Sequence, residues 1–453
     1  MAEREFDVVV LGAGPAGEVC AGRLADGGLD VVIVESHLVG GECSFYACMP
    51  SKGLLRPGEI LAEVGRIPGA REAVTGQLDA AAALARRDEI VHDLDDSSME
   101  PWLEDKGVAL VRGPGRLDGE RRVRVGDETL KARRAVVVAT GSGALVPPID
   151  GLREAEPWSN REATTAKQVP GRLAVLGGGV VGVEMAQAWR TLGSEVTLIE
   201  AEDGLLGREE PFAGEQVFEA LRERGVDVRT GAKATAVRAA QGGVTIELEQ
   251  GELASADELL VAIGRKPVTD DIGLDTVGLE PGKSIEVDDQ MKARDWLYAI
   301  GDVNGRVLLT HMGKYQARVA ADVILGKDAR VTHDGPISPR VIFTDPQVAA
   351  VGHTLASAEE AGLRVRAVDV PTASVAGASF YGRGAPGTSR LVVDEDRGVL
   401  AGATFTGPEV GELLHAATIA LVAEVPLERL VHAVPSYPTR SEVWLNLLQE
   451  YGL

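Results

Sequence analysis

The chain is predicted to be α/β, with two Rossmann-like units followed by a C-terminal α+β domain. Three observations predict this: a glycine-rich strand–turn–helix–strand pattern near the N-terminus, the same pattern again in mid-chain, and a switch to alternating strands beyond about residue 335. At about 150 residues per domain, 453 residues provide for roughly three domains, each able to bury a core.

The first unit is "FDVVVLGAGPAGEVCAGRLADGGLDVVIVES". An apolar strand enters a turn in which Gly12 permits the sharp bend, Gly14 lets backbone N–H groups approach a diphosphate, and Gly17 allows close helix–strand packing. The helix N-terminus then faces the phosphates. Glu35 ends the second strand just over twenty residues on, where a carboxylate accepts hydrogen bonds from ribose hydroxyls. Cys20, on the apolar side of the helix, reads as a buried small hydrophobe.

"GRLAVLGGGVVGVEMAQAWRTLGSEVTLIEAED" repeats the whole module with Gly177, Gly179 and Gly182, and Glu200 closes it. Two such modules suggest two dinucleotides meeting ring to ring; FAD and a nicotinamide are the economical pair. "RRAVVVATGSGALVPP" and "ADELLVAIGRKP" each carry a strand out of a module, through Thr140-Gly141 and Gly264-Arg265. "LYAIGDVNG" supplies a strand, Gly301 and Asp302. An amphipathic helix follows in "LLTHMGKYQARVAADVIL", with Thr310 read as its N-cap. "PRVIFTDPQVAAVG" and "SRLVVDEDRGVLAGATFTG" then open the third domain.

A formal net charge of -23 would repel a phosphate backbone or an anionic membrane surface, which argues against nucleic-acid and membrane partners. The N-terminus enters a strand at once, and no apolar run reaches about 18 residues. The expectation is a soluble, cytoplasmic protein. Three cysteines make no structural disulfide framework, and in a reducing compartment a close pair points to redox chemistry or a metal more often than to packing. That pair is Cys43 and Cys48 in "GGECSFYACMPSK". Residues five apart on an ideal helix are separated by about 7.5 Å along the axis, so a bond between them requires an irregular turn. Zinc would require two further ligands, and no His or Cys pair of matching spacing lies nearby, so no metal is expected.

These segments together resemble the pyridine nucleotide–disulfide oxidoreductase family over essentially the whole chain. "GGECSFYACMPSK" is similar to its active-disulfide segment, "YAIGDV" to its second FAD motif and "YPTRSE" to its C-terminal catalytic motif. The resemblance implies an FAD domain in two parts, 1–148 and 269–331, interrupted by an NAD(P) domain, 149–268, and followed by a dimerisation domain, 332–453, that builds a homodimer. It implies that Cys43 attacks the substrate while Cys48 contacts the flavin. Lys52 then stands beside flavin N5, paired with Glu184, while Asp302 binds the ribityl chain and His311 lies near the flavin pyrimidine. Electrons would run from nicotinamide through flavin and the Cys43–Cys48 disulfide to a small disulfide, thiol-reactive or other acceptor.

One position departs from the pattern. Members that reduce organic disulfides carry histidine before Pro-Thr with a glutamate to orient it; here Tyr437 precedes Pro438-Thr439, while Glu442 remains. A phenol, with an ordinary pKa of about 10, donates hydrogen bonds at neutral pH but is a poor general base. Mercuric reductases and soluble transhydrogenases share the tyrosine. This chain lacks the extra C-terminal cysteines of the former and keeps both active cysteines, one of which the latter commonly lack. His432, five residues earlier, is placed on the preceding helix rather than at the base position. The rival readings are a diaphorase, quinone reductase or transhydrogenase that bypasses the disulfide, and a non-catalytic FAD-binding redox sensor.

Glu200 should accept the ribose hydroxyls of NADH and repel the 2′-phosphate of NADPH, with Arg208 eight residues later as a partial offset. NADH is therefore expected to be the better donor. Steady-state kinetics with both nucleotides test this, and a much higher kcat/KM for NADPH would reverse the assignment.

Overall fold

The computed structural model describes residues 2–240, 242–249, 251–382, 385 and 387–453. Its backbone contacts divide the chain into two compact units: residues 1–50, 87–145 and 264–335 form one, and 51–86, 146–263 and 336–453 form the other.

In the first unit the apolar runs become a mostly parallel sheet. Its central strand, β1 (Ala2–Leu11), pairs in parallel with β2 (Val31–Glu35) on one side and with Glu128–Val138 on the other. Beyond β2 lies β3 (Ala109–Arg112), and beyond Glu128–Val138 lies Leu297–Ala299. Val8, Val10, Ile33 and Val137 face one side of this sheet and Val9, Leu11, Val32 and Val136 the other, all fully buried or nearly so. Both faces being covered explains why these strands read as continuous apolar runs rather than alternating ones. The helix α1 (Pro15–Asp26) packs on the first face beside the helix Thr310–Ile324. Cys20 is fully buried there, and burial pushes its thiol up to about 12, as expected of a packing cysteine.

The two exits through Thr140-Gly141 and Gly264-Arg265 lie side by side. Ser142–Ala144 and Arg265–Pro267 form an antiparallel ribbon, and Thr140 Oγ1 donates to the carbonyl of Val268 at 2.8 Å. Gly141 and Gly264 take φ values of +72° and +156°, conformations that a side chain would strain.

The second unit holds the repeated module as a parallel sheet in the order Asp227–Arg229, Glu195–Ile199, Arg172–Leu176, Glu258–Val261. The helix Val180–Leu192 packs on it through Val183, Met185 and Trp189. The C-terminal region is a five-stranded antiparallel sheet, Arg340–Ile342, Gln347–Gly352, Val399–Gly407, Thr388–Asp394 and Val365–Pro371, with helices Leu414–Val422 and Val443–Tyr451 against it.

One expectation about a helix end is corrected. Thr310 is not the N-cap: Leu309 is the extended residue before the helix and Thr310 is its first helical residue, so its hydroxyl serves elsewhere.

The third glycine of each module is held by sterics. A Cβ on Gly17 would meet the Gly12 carbonyl oxygen at 1.9 Å, and one on Gly182 would meet that of Gly177 at 1.8 Å. Gly182→Ala should cost about 1–3 kcal/mol through backbone displacement. Gly65, on the helix Cys48–Arg66 with nothing within 4 Å of its added methyl, should gain up to about 1 kcal/mol as alanine. Thermal unfolding should show a lower midpoint for the first variant and an unchanged or higher one for the second.

Candidate functional site

The two modules build the same nucleotide turn atom for atom. In the first, Glu35 accepts from Ala13 N–H at 2.7 Å through Oε2 and from His37 N–H at 2.8 Å through Oε1. In the second, Glu200, one residue past its strand, accepts from Gly178 N–H through Oε2 and from Glu202 N–H at 2.9 Å through Oε1. Gly12 and Gly177 adopt φ of +102° and +110°, where a Cβ would strike the carbonyls of Ala139 and Ala262. Each carboxylate is thus aimed by the turn it closes, with lone pairs left over for ribose hydroxyls.

The helix starts are compatible with a dinucleotide. Gly14 and Gly179 are the N-caps of their helices, both extended and neither supplying a side-chain cap. An added Cβ at Gly179 would have nothing within 4 Å, and at Gly14 nothing nearer than Gly41 Cα at 4.0 Å. Uncapped N–H groups and open space at a helix N-terminus suit a diphosphate.

The cysteine segment is broken where the spacing required it. Gly41–Phe45 forms a short helix, α2, that ends at Tyr46 (φ −131°), and α3 (Cys48–Arg66) begins two residues later. Cys43 and Cys48 are therefore free thiols brought near each other across the break. Thr310 lies against the pair: its Oγ1 is 3.4 Å from Cys48 Sγ. The Cys43 thiol is pushed up, chiefly by its hydrogen bond to Cys48 and then by burial, while Thr310 and the Lys314 ammonium act the other way.

Asp302 is held by neighbours far from it in sequence. Ser142 Oγ donates to Asp302 Oδ2 at 2.6 Å and accepts from Arg265 Nε at 2.7 Å. Burial raises the Asp302 carboxyl, and the Ser142 hydrogen bond opposes it. Gly301 donates its N–H to Gln316 Oε1 at 2.9 Å, and Asn304 Nδ2 donates to the same oxygen. Gln316 was findable: it is a polar residue in the apolar stripe of Met312, Gly313, Ala317 and Ala320. His311, second in its helix, is exposed.

In the second unit Lys52 and Glu184 form an ion pair, Nζ to Oε2 at 2.8 Å, with the Glu184 side chain only 4 % exposed. Tyr437 is 77 % exposed in the protomer, and Glu442 Oε2 accepts from Gly377 N–H at 3.4 Å rather than from the tyrosine. His432 is corrected from helix to turn: it follows the short helix Leu427–Leu430 and is exposed. Arg208 is exposed as well. Among the described residues no cluster of His, Cys, Asp and Glu has metal-holding geometry, and no helix is long and apolar enough to cross a membrane.

Paired glycine turns, an acid at each strand end and a facing cysteine pair define a nucleotide-dependent oxidoreductase. The family model for pyridine nucleotide-disulphide oxidoreductases matches residues 6–318, and that family's dimerisation-domain model matches residues 338–448. A dihydrolipoyl dehydrogenase of Haloferax volcanii is 33 % identical over 451 residues, covering 96 % of this chain and 94 % of that one. A mercuric reductase of Shigella flexneri is 33 % identical over 96 % of this chain and 79 % of its own. The flavoprotein disulfide reductase RclA from Escherichia coli, at 25 % identity, superimposes with a TM-score of 0.86 over 98 % of this chain and 99 % of its own. The chain belongs to the pyridine nucleotide–disulfide oxidoreductase family, whose members use FAD and a pyridine nucleotide.

If the Thr310 hydroxyl stabilises the first thiolate of the reduced pair, Thr310→Val should raise the pH at which that thiolate forms by about one unit. Iodoacetamide alkylation rates of the reduced protein across pH measure it, and an unchanged profile would remove Thr310 from the site.

Proposed function

We propose that this flavoprotein takes electrons from NADH and passes them through the Cys43–Cys48 pair to a small acceptor. The observation that carries the reading is the pair of free cysteines brought near each other across a helix break, with the first hydroxyl of the helix Thr310–Ile324 lying 3.4 Å from Cys48 Sγ. A pair so arranged can close to a disulfide and reopen, storing two electrons and two protons as a dithiol. Bound FAD and nicotinamide would supply the hydride and electron-pair chemistry. Gly12, Gly14, Gly17, Glu35, Thr140, Gly141, Gly301, Asp302 and His311 would hold the first cofactor, and Gly177, Gly179, Gly182, Glu200 and Gly264 the second. The assignment rests on the repeated turns and on family membership. The domain division at 148, 268 and 331 follows from the same reading and is supported by the separate parallel sheets and the paired exits.

Cys48, at the start of α3, would face the flavin, and Cys43 would meet the acceptor. Lys52, one turn along that helix, would place its ammonium beside the flavin, where a cation favours the negative charge of the reduced ring and of a neighbouring thiolate. Its buried partner Glu184 would keep the ammonium in one place. Tyr437 and Glu442 would act across a homodimer interface, which the matched dimerisation domain and the exposure of Val434 and Tyr437 support. A phenol in place of imidazole suits an acceptor that needs little general-base help, or one that the hydroxyl contacts as a donor.

Anaerobic addition of NADH to the purified flavoprotein tests the reading. The wild type should develop a long-wavelength thiolate-to-flavin band, Cys43→Ser should show that band without turnover of a disulfide acceptor, and Cys48→Ser should lose it. Simple bleaching of the wild-type flavin would indicate a diaphorase or transhydrogenase that bypasses the pair, and no response would indicate a sensor.

A further inference from the structure

The helix α3 begins with Cys48 and continues to Arg66, and three of its side chains at successive sevens, Lys52, Glu59 and Arg66, share one face because seven residues are about two turns. All three meet one short stretch of the C-terminal region, Phe343–Gln347. Lys52 Nζ lies 4.6 Å from the centre of the Phe343 ring. Glu59 Oε1 accepts from Gln347 Nε2 at 2.8 Å. Arg66 pairs with Asp345, as does Arg224. The same stretch is bound to the helix Val180–Leu192, where residues three apart share a face. Phe343 N–H donates to Glu184 Oε1 at 2.9 Å and Asp345 N–H donates to Gln187 Oε1 at 2.8 Å.

Phe343 therefore touches both partners of the Lys52–Glu184 pair, one through its ring and the other through its backbone. A lysine has four rotatable bonds, and one carboxylate oxygen fixes only its end point. The ring face supplies a second, directional hold, since an ammonium within about 6 Å of a ring centre is attracted by the quadrupole. The backbone N–H occupies the other carboxylate oxygen, leaving Oε2 for the ammonium.

We propose that Phe343 is the positioning residue for Lys52, so that the C-terminal domain sets the positive charge felt by the flavin and the Cys48 thiolate. The inference rests on the reading that Lys52 acts at the flavin. Removing the ring while keeping the backbone N–H frees the ammonium to move, so the thiolate loses stabilisation.

Phe343→Leu, Phe343→Tyr and Lys52→Met holoenzymes should be titrated against pH with the thiolate-to-flavin band and iodoacetamide alkylation as readouts, FAD content and thermal midpoint serving as folding checks. Phe343→Leu should raise the apparent pKa of the thiolate by about half a unit, roughly a threefold loss at fixed pH, and Phe343→Tyr should restore it. Lys52→Met should raise it by more. If Lys52→Met shifts the pKa and folded Phe343→Leu does not, Phe343 has no positioning role and the reading of Lys52 stands. If neither shifts it, both fall. If Phe343→Leu loses FAD, Phe343→Tyr decides: a thiolate pKa like that of Lys52→Met would overturn the proposal, because the aromatic face is retained.

Discussion

A carboxylate buried as deeply as Glu184 is stable only if both of its oxygens are satisfied, since removing one partner of a buried pair costs about 3–5 kcal/mol. Its two partners come from separate parts of the sequence: Lys52 from the helix that begins at Cys48, and the backbone N–H of Phe343 from the C-terminal region. Much of the second unit follows from that requirement. The helix Val180–Leu192 must present Glu184 away from solvent, α3 must bring Lys52 to it, and the chain after Ile342 must pass close enough to donate. Asp345 repeats the pattern nearby, receiving Arg66 and Arg224 while its own N–H goes to Gln187.

The first unit depends on a different device. Its cysteine pair needs a helix break, and the break lies at Tyr46 and Ala47, between the short helix at Cys43 and the long helix that starts with Cys48. A continuous helix would separate the sulfurs. Thr310 can reach Cys48 because it stands at the first turn of its helix rather than at the capping position. A capping hydroxyl would be directed at its own helix's N–H groups.

The nucleotide turns are where local sequence and final structure agree most closely. Gly12, Gly17 and Glu35 and their counterparts Gly177, Gly182 and Glu200 occupy conformations and contacts that leave few alternatives, because a Cβ or a displaced carboxylate would collide or leave backbone donors unmet. The readings that needed correction lie where such constraints are absent. Thr310 carried a cap-forming side chain one residue too late. His432 stood beyond a helix of only four residues, too short to show a period. Ser142 and Phe343 carry no local signal, because each meets a residue far away in sequence.

The sequence by itself determined the strands, the two glycine turns with their terminal acids, the close cysteine pair and the change of pattern near residue 335, since all of these depend on local sterics and on periodicity within about thirty residues. It also suggested the partnership of Lys52 with Glu184 through family resemblance. Only the tertiary structure decided that Phe343 lies against that ion pair, that Ser142 and Arg265 brace Asp302, and that Thr310 lies against Cys48. These contacts arise from the return of the chain after long excursions, and packing selects them from many partners that are equal by local propensity.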